Sequence, residues 1–158
     1  TYGGVSFIKF KKDEKVKVEN LKLSQNTRKE LDENLIAFYT GIPRKSSTVL
    51  TKQIKNIKNN LSKLDAIRSI AEEGRDYLKN NDLTSFSQLF NKTWEIKKSL
   101  SNNISNQKIE SIYKKAINSG AVGGKLSGAG NGGFLFFYCE PKFQKKVRQS
   151  LKNLYELK

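Results

Sequence analysis

Residues 120–140, GAVGGKLSGAGNGGFLFFYCE, hold seven of the chain's eleven glycines: Gly120, Gly123, Gly124, Gly128, Gly130, Gly132 and Gly133. Lys125, Ser127, Ala129 and Asn131 fall between them, and six apolar residues, Phe134 to Cys139, come next. Glycine loses more backbone freedom on folding than any other residue, so such density requires a conformation or a close contact that a side chain would forbid. On spacing alone two readings stand level. One is a glycine-rich turn between two buried strands; the other is a loop whose bare N–H groups line an anion-sized hollow. It is neither common phosphate signature. The P-loop places its lysine after the glycines, and the dinucleotide fingerprint runs from strand to helix, whereas this stretch runs into a strand-like segment.

A chain of 158 residues, 36% hydrophobic and 10% aromatic, suits one domain with a modest core. One cysteine and no histidine exclude an internal disulfide and a Cys/His zinc site, and Cys139 in its apolar run reads as a buried thiol. No stretch resembles a signal peptide or is long enough to span a membrane, and these features point to the cytoplasm. The net charge of +15 attracts nucleic acid, acidic membrane or phosphorylated substrates. The basic residues are mostly lysines scattered over every segment, however, which fits solvated faces in a Lys- and Asn-rich chain better than a dedicated patch.

In order, Gly4 to Lys12 and Val16 to Leu23 predict two strands joined at Asp13-Glu14, and Asn26 to Glu33 a short helix or a turn, since only Leu31 is apolar. Leu35 to Thr40 is a central strand ended by Gly41-Ile42-Pro43. Ser46 or Ser47 caps a helix starting near Thr48. Helical stripes run through Leu64, Ile67, Ile70, Ala71 and Leu78; through Leu83, Phe86, Phe90 and Trp94 after an Asp82 cap; and through Ile109, Ile112, Tyr113, Ala116 and Ile117 after a Ser105 cap, with Gly120 closing the last. Lys97 and Lys98 point to solvent, or one of them to a phosphate. Ala121 to Leu126 and Phe134 to Cys139 flank the glycine loop as strands. Pro141 opens a final helix with the stripe Phe143, Val147, Leu151 and Leu154. Strands segregated from helices predict an α+β fold, an antiparallel sheet covered on one face by helices. Phe7, Phe38, Phe134 and Phe136, or their alternating neighbours, are the expected sheet core.

KLSGAGNGGFLFFYC resembles the third motif of the GHMP small-molecule kinases, and in particular the heptose and related sugar-phosphate kinase branch, which reads GGKLxGAGGGGFxxFY. Phe38-Tyr39-Thr40-Gly41-Ile42 with Arg44 and Ser46-Ser47, then Trp94 to Lys98, then Ile109 and Tyr113 agree as well. The one departure is Asn131, where the family has glycine; asparagine tolerates left-handed backbone, so the loop survives it.

The resemblance implies a ferredoxin-like C-terminal domain spanning residues 1–158. It also implies a separate N-terminal kinase domain that supplies the nucleotide loop, PxxxGLGSSSA in the family, and the catalytic aspartate. Neither occurs here, and a Gly-Gly pair like Gly3-Gly4 follows that aspartate closely in the family. No catalytic residue and no metal ligand is therefore expected in this chain. Its implied contribution is the opposite wall of the cleft: Lys125, Ser127, Gly128, Ala129, Gly130, Asn131, Gly132 and Gly133, with Thr40, Gly41, Arg44 and Lys97 as substrate contacts. The resemblance also accounts for the surplus of glycine, as backbone that lies against the nucleotide loop with no room for a Cβ. ATP and Mg²⁺ are expected for the complete enzyme and neither for this chain alone. The implied acceptor is a phosphorylated sugar, a heptose 7-phosphate, in carbohydrate metabolism feeding nucleotide-sugar synthesis. The rival readings are a basic nucleic-acid-binding domain, for which no recognisable module is present, and a non-catalytic regulatory domain.

Overall fold

The computed structural model describes residues 3–43 and 57–157. The helix expected from Thr48, its serine cap and Arg44 lie outside the described residues.

Strands β1 (Ser6–Phe10) and β2 (Val16–Asn20) pair antiparallel as a ribbon. The chain reverses between them through Glu14, at φ 62°. This ribbon is a sheet of its own, separate from the main sheet. Helix α1 (Gln25–Asn34) forms where the apolar pattern is too sparse to decide. Ser24 caps it by accepting from the Thr27 N–H, and the buried face is Thr27, Leu31 and Asn34. The two polar members of that face bond to distant residues: the Thr27 hydroxyl donates to Asn81 Oδ1 at 2.6 Å, and Asn34 Nδ2 donates to the Tyr138 hydroxyl at 2.9 Å.

Strand β3 (Leu35–Tyr39) continues from α1 without a break. After a 3-10 turn at Lys58–Asn60 come α2 (Leu61–Lys79), α3 (Leu83–Ser99) and α4 (Gln107–Asn118). Asp82 caps α3 as expected, by accepting from the Ser85 N–H. At α4 the cap is Asn106, which accepts from the Ile109 N–H, while Ser105 donates to Glu110 Oε1 instead. The chain then forms β4 (Gly123–Leu126), β5 (Phe134–Tyr138), α5 (Pro141–Ser150) and β6 (Tyr155–Leu157). The main sheet runs β4-β5-β3-β6, all antiparallel. With α4 and α5 as its crossovers, β3-α4-β4-β5-α5-β6 is the ferredoxin-like split βαβ arrangement, and α2 and α3 are inserted after β3.

Two differences from expectation have clear physical causes. The final helix stops at Ser150, and the chain beyond it, past Leu154, turns into β6. The free edge of β3 accepts that strand, and the Arg148 guanidinium binds both carboxylate oxygens of Glu156 at 2.9 and 3.0 Å. The sheet is also packed on both faces, not one. Register decides the partition, because cross-strand partners share a face and neighbours alternate. Ile36, Phe38, Leu126, Leu135 and Phe137 pack against Trp94, Ile109, Ile112, Tyr113, Ala116 and Val147. Tyr138 and Leu35 join Leu21, Leu31, Leu78 and Leu83 on the other side. Phe134 and Phe136 are thus the half-buried alternates of the core residues Leu135 and Phe137, and Phe7 lies in the ribbon, packed against the second cluster.

Gly123 and Gly124 are strand residues, not loop residues. A Cβ at Gly123 would sit 2.8 Å from the Asn91 backbone nitrogen of α3, and one at Gly124 would sit 2.6 Å from the Phe136 carbonyl oxygen. The bareness of Gly123 lets α3 lie directly on β4, and that of Gly124 makes room for the Phe137 ring of β5.

Candidate functional site

The β4–β5 connection, residues 127–133, is no minimal hairpin turn. Gly128, Gly130, Asn131, Gly132 and Gly133 all have positive φ, at 79°, 125°, 61°, 153° and 97°. Asn131 thus takes the left-handed conformation expected of it, and its side chain accepts from Asn106 Nδ2 at 3.0 Å.

The loop is stitched to two distant segments. At the end of β3, the Thr40 N–H donates to the Gly133 carbonyl at 2.9 Å and the Gly133 N–H donates to the Ile42 carbonyl at 3.1 Å. Ahead of α4, the Asn131 N–H donates to the Ile104 carbonyl at 2.8 Å. Thr40 is fully buried, with its hydroxyl accepting from the Ile42 N–H, and Gly41 beside it has φ 69°. Ile104, buried in the main core, gives no sign in the sequence of being a loop contact, because a single apolar residue within SNNISN has no periodic signal.

These contacts identify what keeps side chains off the loop. A Cβ on Gly130 would lie 2.8 Å from Ile104 Cα, and one on Gly132 would lie 2.5 Å from the Ile42 carbonyl oxygen. At these two positions the excluding atoms therefore belong to this chain's own backbone, without any neighbouring nucleotide loop.

Two lysines flank the loop. Lys97, on α3, donates to the carbonyls of Leu126 at 2.8 Å and Gly128 at 2.7 Å, so it points into the loop and not to solvent. Lys98 is not free either. It pairs with Glu95 at 2.9 Å and Glu110 at 3.2 Å and lies over the Trp94 ring, 5.6 Å from its centroid. Lys125, on β4, is half-buried. Among the described residues, no hydrogen bond or ion pair joins Lys97 or Lys125 to a carboxylate. Burial, with the Lys125 charge nearby, pushes the Lys97 amine down to about 8, and burial lowers Lys125 as well. The structure therefore brings Lys97, Lys125, Thr40 and Gly41 around the glycine loop.

The Lys97 shift has a definite sign. A lysine depressed on folding holds fewer protons in the folded chain than in the unfolded one between about 8 and its ordinary value. Its contribution to stability is least favourable below that window and improves as pH rises through it. A ¹³C titration resolving Lys97 Cε is expected to show a midpoint near 8. A midpoint at the ordinary lysine value of about 10.4 would contradict the buried placement.

Other chemistry is limited. Burial raises the Cys139 thiol to about 11, which leaves it protonated and unreactive at neutral pH. Among the described residues no group of three or more His, Cys, Asp or Glu side chains could hold a metal ion.

Residues 75–157 match the family model for the C-terminal region of GHMP kinases. The chain is 31% identical over 154 residues to D-glycero-alpha-D-manno-heptose 7-phosphate kinase of Campylobacter jejuni, an alignment covering 96% of this chain and 45% of that protein. Among solved structures, a putative sugar kinase from Campylobacter jejuni superposes with TM-score 0.71 at 29% identity, over 98% of this chain and 44% of that one. The L. major mevalonate kinase, solved in complex with R-mevalonate, shares the fold at TM-score 0.76 and 21% identity, over 99% of this chain and 50% of that one. These relatives are kinases of small metabolites. The chain belongs to the GHMP kinase family and matches its C-terminal domain. It spans less than half the length of the heptose 7-phosphate kinase that it resembles.

Proposed function

We propose that this chain is the C-terminal part of an ATP-dependent sugar-phosphate kinase with a heptose phosphate as acceptor, acting in the cytoplasm. In this reading residues 1–158 form one domain, and a separate N-terminal domain carries the nucleotide cradle and the catalytic aspartate. The observation that supports it is the glycine loop itself: held to Thr40–Ile42 and Ile104 by backbone bonds, and flanked by two half-buried lysines to which, among the described residues, no carboxylate is bonded. Phosphoryl transfer depends chiefly on positioning and charge neutralisation, and a rigid wall bearing two ammonium groups serves both. Lys125 to Gly133 would line the cleft, with Thr40, Gly41 and Lys97 behind it and Arg44 as a further substrate contact. Among the described residues no metal-spaced cluster of three or more His, Cys, Asp or Glu side chains is present, and in this reading the other domain holds the metal. No described helix is long and apolar enough to cross a membrane.

Incubated with ATP, Mg²⁺ and heptose 7-phosphate, the 158-residue chain should give no turnover above blank, while the full-length protein phosphorylates the sugar. Enzyme-like turnover by the 158-residue chain would overturn the assignment of the catalytic groups. A full-length protein inactive on heptose phosphates but active on another sugar phosphate would correct the acceptor alone.

A further inference from the structure

In a chain of net charge +15, the charged residues lining one cavity are all acidic. The cavity measures about 380 Å³ and lies between α1, the first turns of α3 and the start of α5. Glu30 and Glu33 come from α1 and Glu140 from the residue ahead of α5, while Val122 and Pro141 add apolar surface. Val122 precedes β4 and its N–H donates to the carbonyl of Tyr138, the last residue of β5, at 2.9 Å. The glycine loop joins the other ends of these two strands, so the cavity is at the opposite end of the sheet from it. The deepest polar side chain in the lining has an unmet acceptor. Asn34 is only 3% exposed; its Nδ2 donates to the Tyr138 hydroxyl, and its Oδ1 has no partner among the described residues. A buried acceptor without a donor is costly, and few persist without a water or ligand to complete them.

We propose that this cavity binds a small aliphatic diamine, with one ammonium between Glu30 and Asn34 Oδ1, the other at Glu140, and the methylene chain along Val122 and Pro141. Glu30 and Asn34 are one turn apart on α1, so they share a helix face. Glu140 pairs with Lys142 at 2.7 Å and Glu33 with Lys29 at 3.8 Å, whereas Glu30 has no cation partner among the described residues. The Ser87 hydroxyl donates to the Thr84 carbonyl, which leaves it only acceptor capacity toward a ligand. Acceptors and negative charge therefore dominate, and a ligand rich in N–H donors and positive charge complements them. Burial raises the Tyr138 hydroxyl above its ordinary value, and the charges of Glu30 and Glu140 add to the rise, so carboxylates from both walls bear on the same group. Two ammonium groups on a short chain match carboxylates placed on two walls. A metal ion matches them less well, because the three carboxylates are not grouped at metal-ligand spacing.

The test is a ¹H–¹⁵N titration of the full-length protein with putrescine in about 0.15 M salt, where interactions between exposed charges are largely screened. The side-chain amide of Asn34 and the backbone amide of Tyr138 should shift together and saturate at one diamine per chain. Butylamine, with a single ammonium, should bind about tenfold more weakly. The double variant Glu30→Gln, Glu140→Gln should weaken putrescine by about tenfold or more and keep the parental melting temperature, because neither side chain is buried. An Asn34 amide that never moves, or a double variant that binds putrescine as the parent does, would overturn the proposal. So would Mg²⁺ saturating the same signals at lower concentration than putrescine, since the cavity would then be a metal site. Should the double variant melt below the parent, Glu30→Gln alone, at an exposed helix position, carries the measurement, and unchanged putrescine affinity in it would equally overturn the assignment. None of these readouts requires kinase activity.

Discussion

Gly132→Val will cost the fold and not merely the site. The new Cβ would sit 2.5 Å from the Ile42 carbonyl oxygen, a backbone atom that cannot swing away as a flexible side chain would. That carbonyl already accepts from the Gly133 N–H, so moving it breaks a bond between the loop and the end of β3. Valine at φ 153° adds backbone strain on top of the clash. The sum is expected to exceed about 4 kcal/mol, the range reached only by mutations with a specific structural fault. The informative contrast is Gly41→Ala. There the nearest atom to a new Cβ is the Lys108 ammonium at 3.4 Å, the end of a mobile side chain. Only the left-handed φ of 69° opposes the change, at roughly 1–2 kcal/mol. Thermal melts of the two variants in the 158-residue chain decide the matter. A Gly132→Val chain that melts like the parent, together with loss of the proposed kinase activity in the full-length protein, would return the loop's glycines to a purely functional role.

Phe137→Ala should destabilise the chain by about 3–5 kcal/mol, the usual cost of emptying a buried aromatic site. Phe137 is fully buried at the centre of the sheet, with its ring centroid 6.4 Å from that of Phe38 and 5.8 Å from that of Tyr113. The ring also lies against bare Gly124, so no side chain from that position of β4 can collapse into the void. For a chain of this size the loss amounts to roughly 10 °C in melting temperature. Its neighbour Phe136 is half-buried on the other face, and Phe136→Ala should cost clearly less. Equal losses from the two substitutions would mean that the strand's register is wrong by one residue, since a slip of one exchanges the faces.

That register is also where the sequence is least informative. In a run of continuous apolar residues such as FLFFYC, both faces look alike, so alternation cannot say which phenylalanine faces the core. Longer stripes on α3 and α4 are legible because their apolar residues recur with a helical period. Helix α1 stays undecided between helix and turn in the sequence because its buried face is two-thirds polar, and its long-range partners Asn81 and Tyr138 cannot be seen from local pattern. Strand β6 escapes because Leu154 extends the helical stripe of α5, and only the open edge of β3 draws Tyr155–Leu157 into a strand. At the site, glycine density and Lys125 draw attention directly. The inward turn of Lys97 and the role of Ile104 depend on contacts across 29 to 31 residues and across the Asn131–Ile104 bond.

The position of β3 in the sheet also bears on how the chain is made. Both its hydrogen-bonding neighbours come from the last stretch of the sequence: Leu35 pairs with Tyr138, and Tyr39 pairs with Tyr155. As the polypeptide leaves the ribosome, the segment LIAFY emerges well before either partner and stays unpaired until nearly all of these 158 residues have been translated. A nascent strand that apolar, with two open edges, is the kind of surface on which unfinished chains stick to one another. Completion of the sheet must wait for β5 and β6, so the closing event of folding comes late in synthesis and carries the slow kinetics of pairing across about a hundred residues.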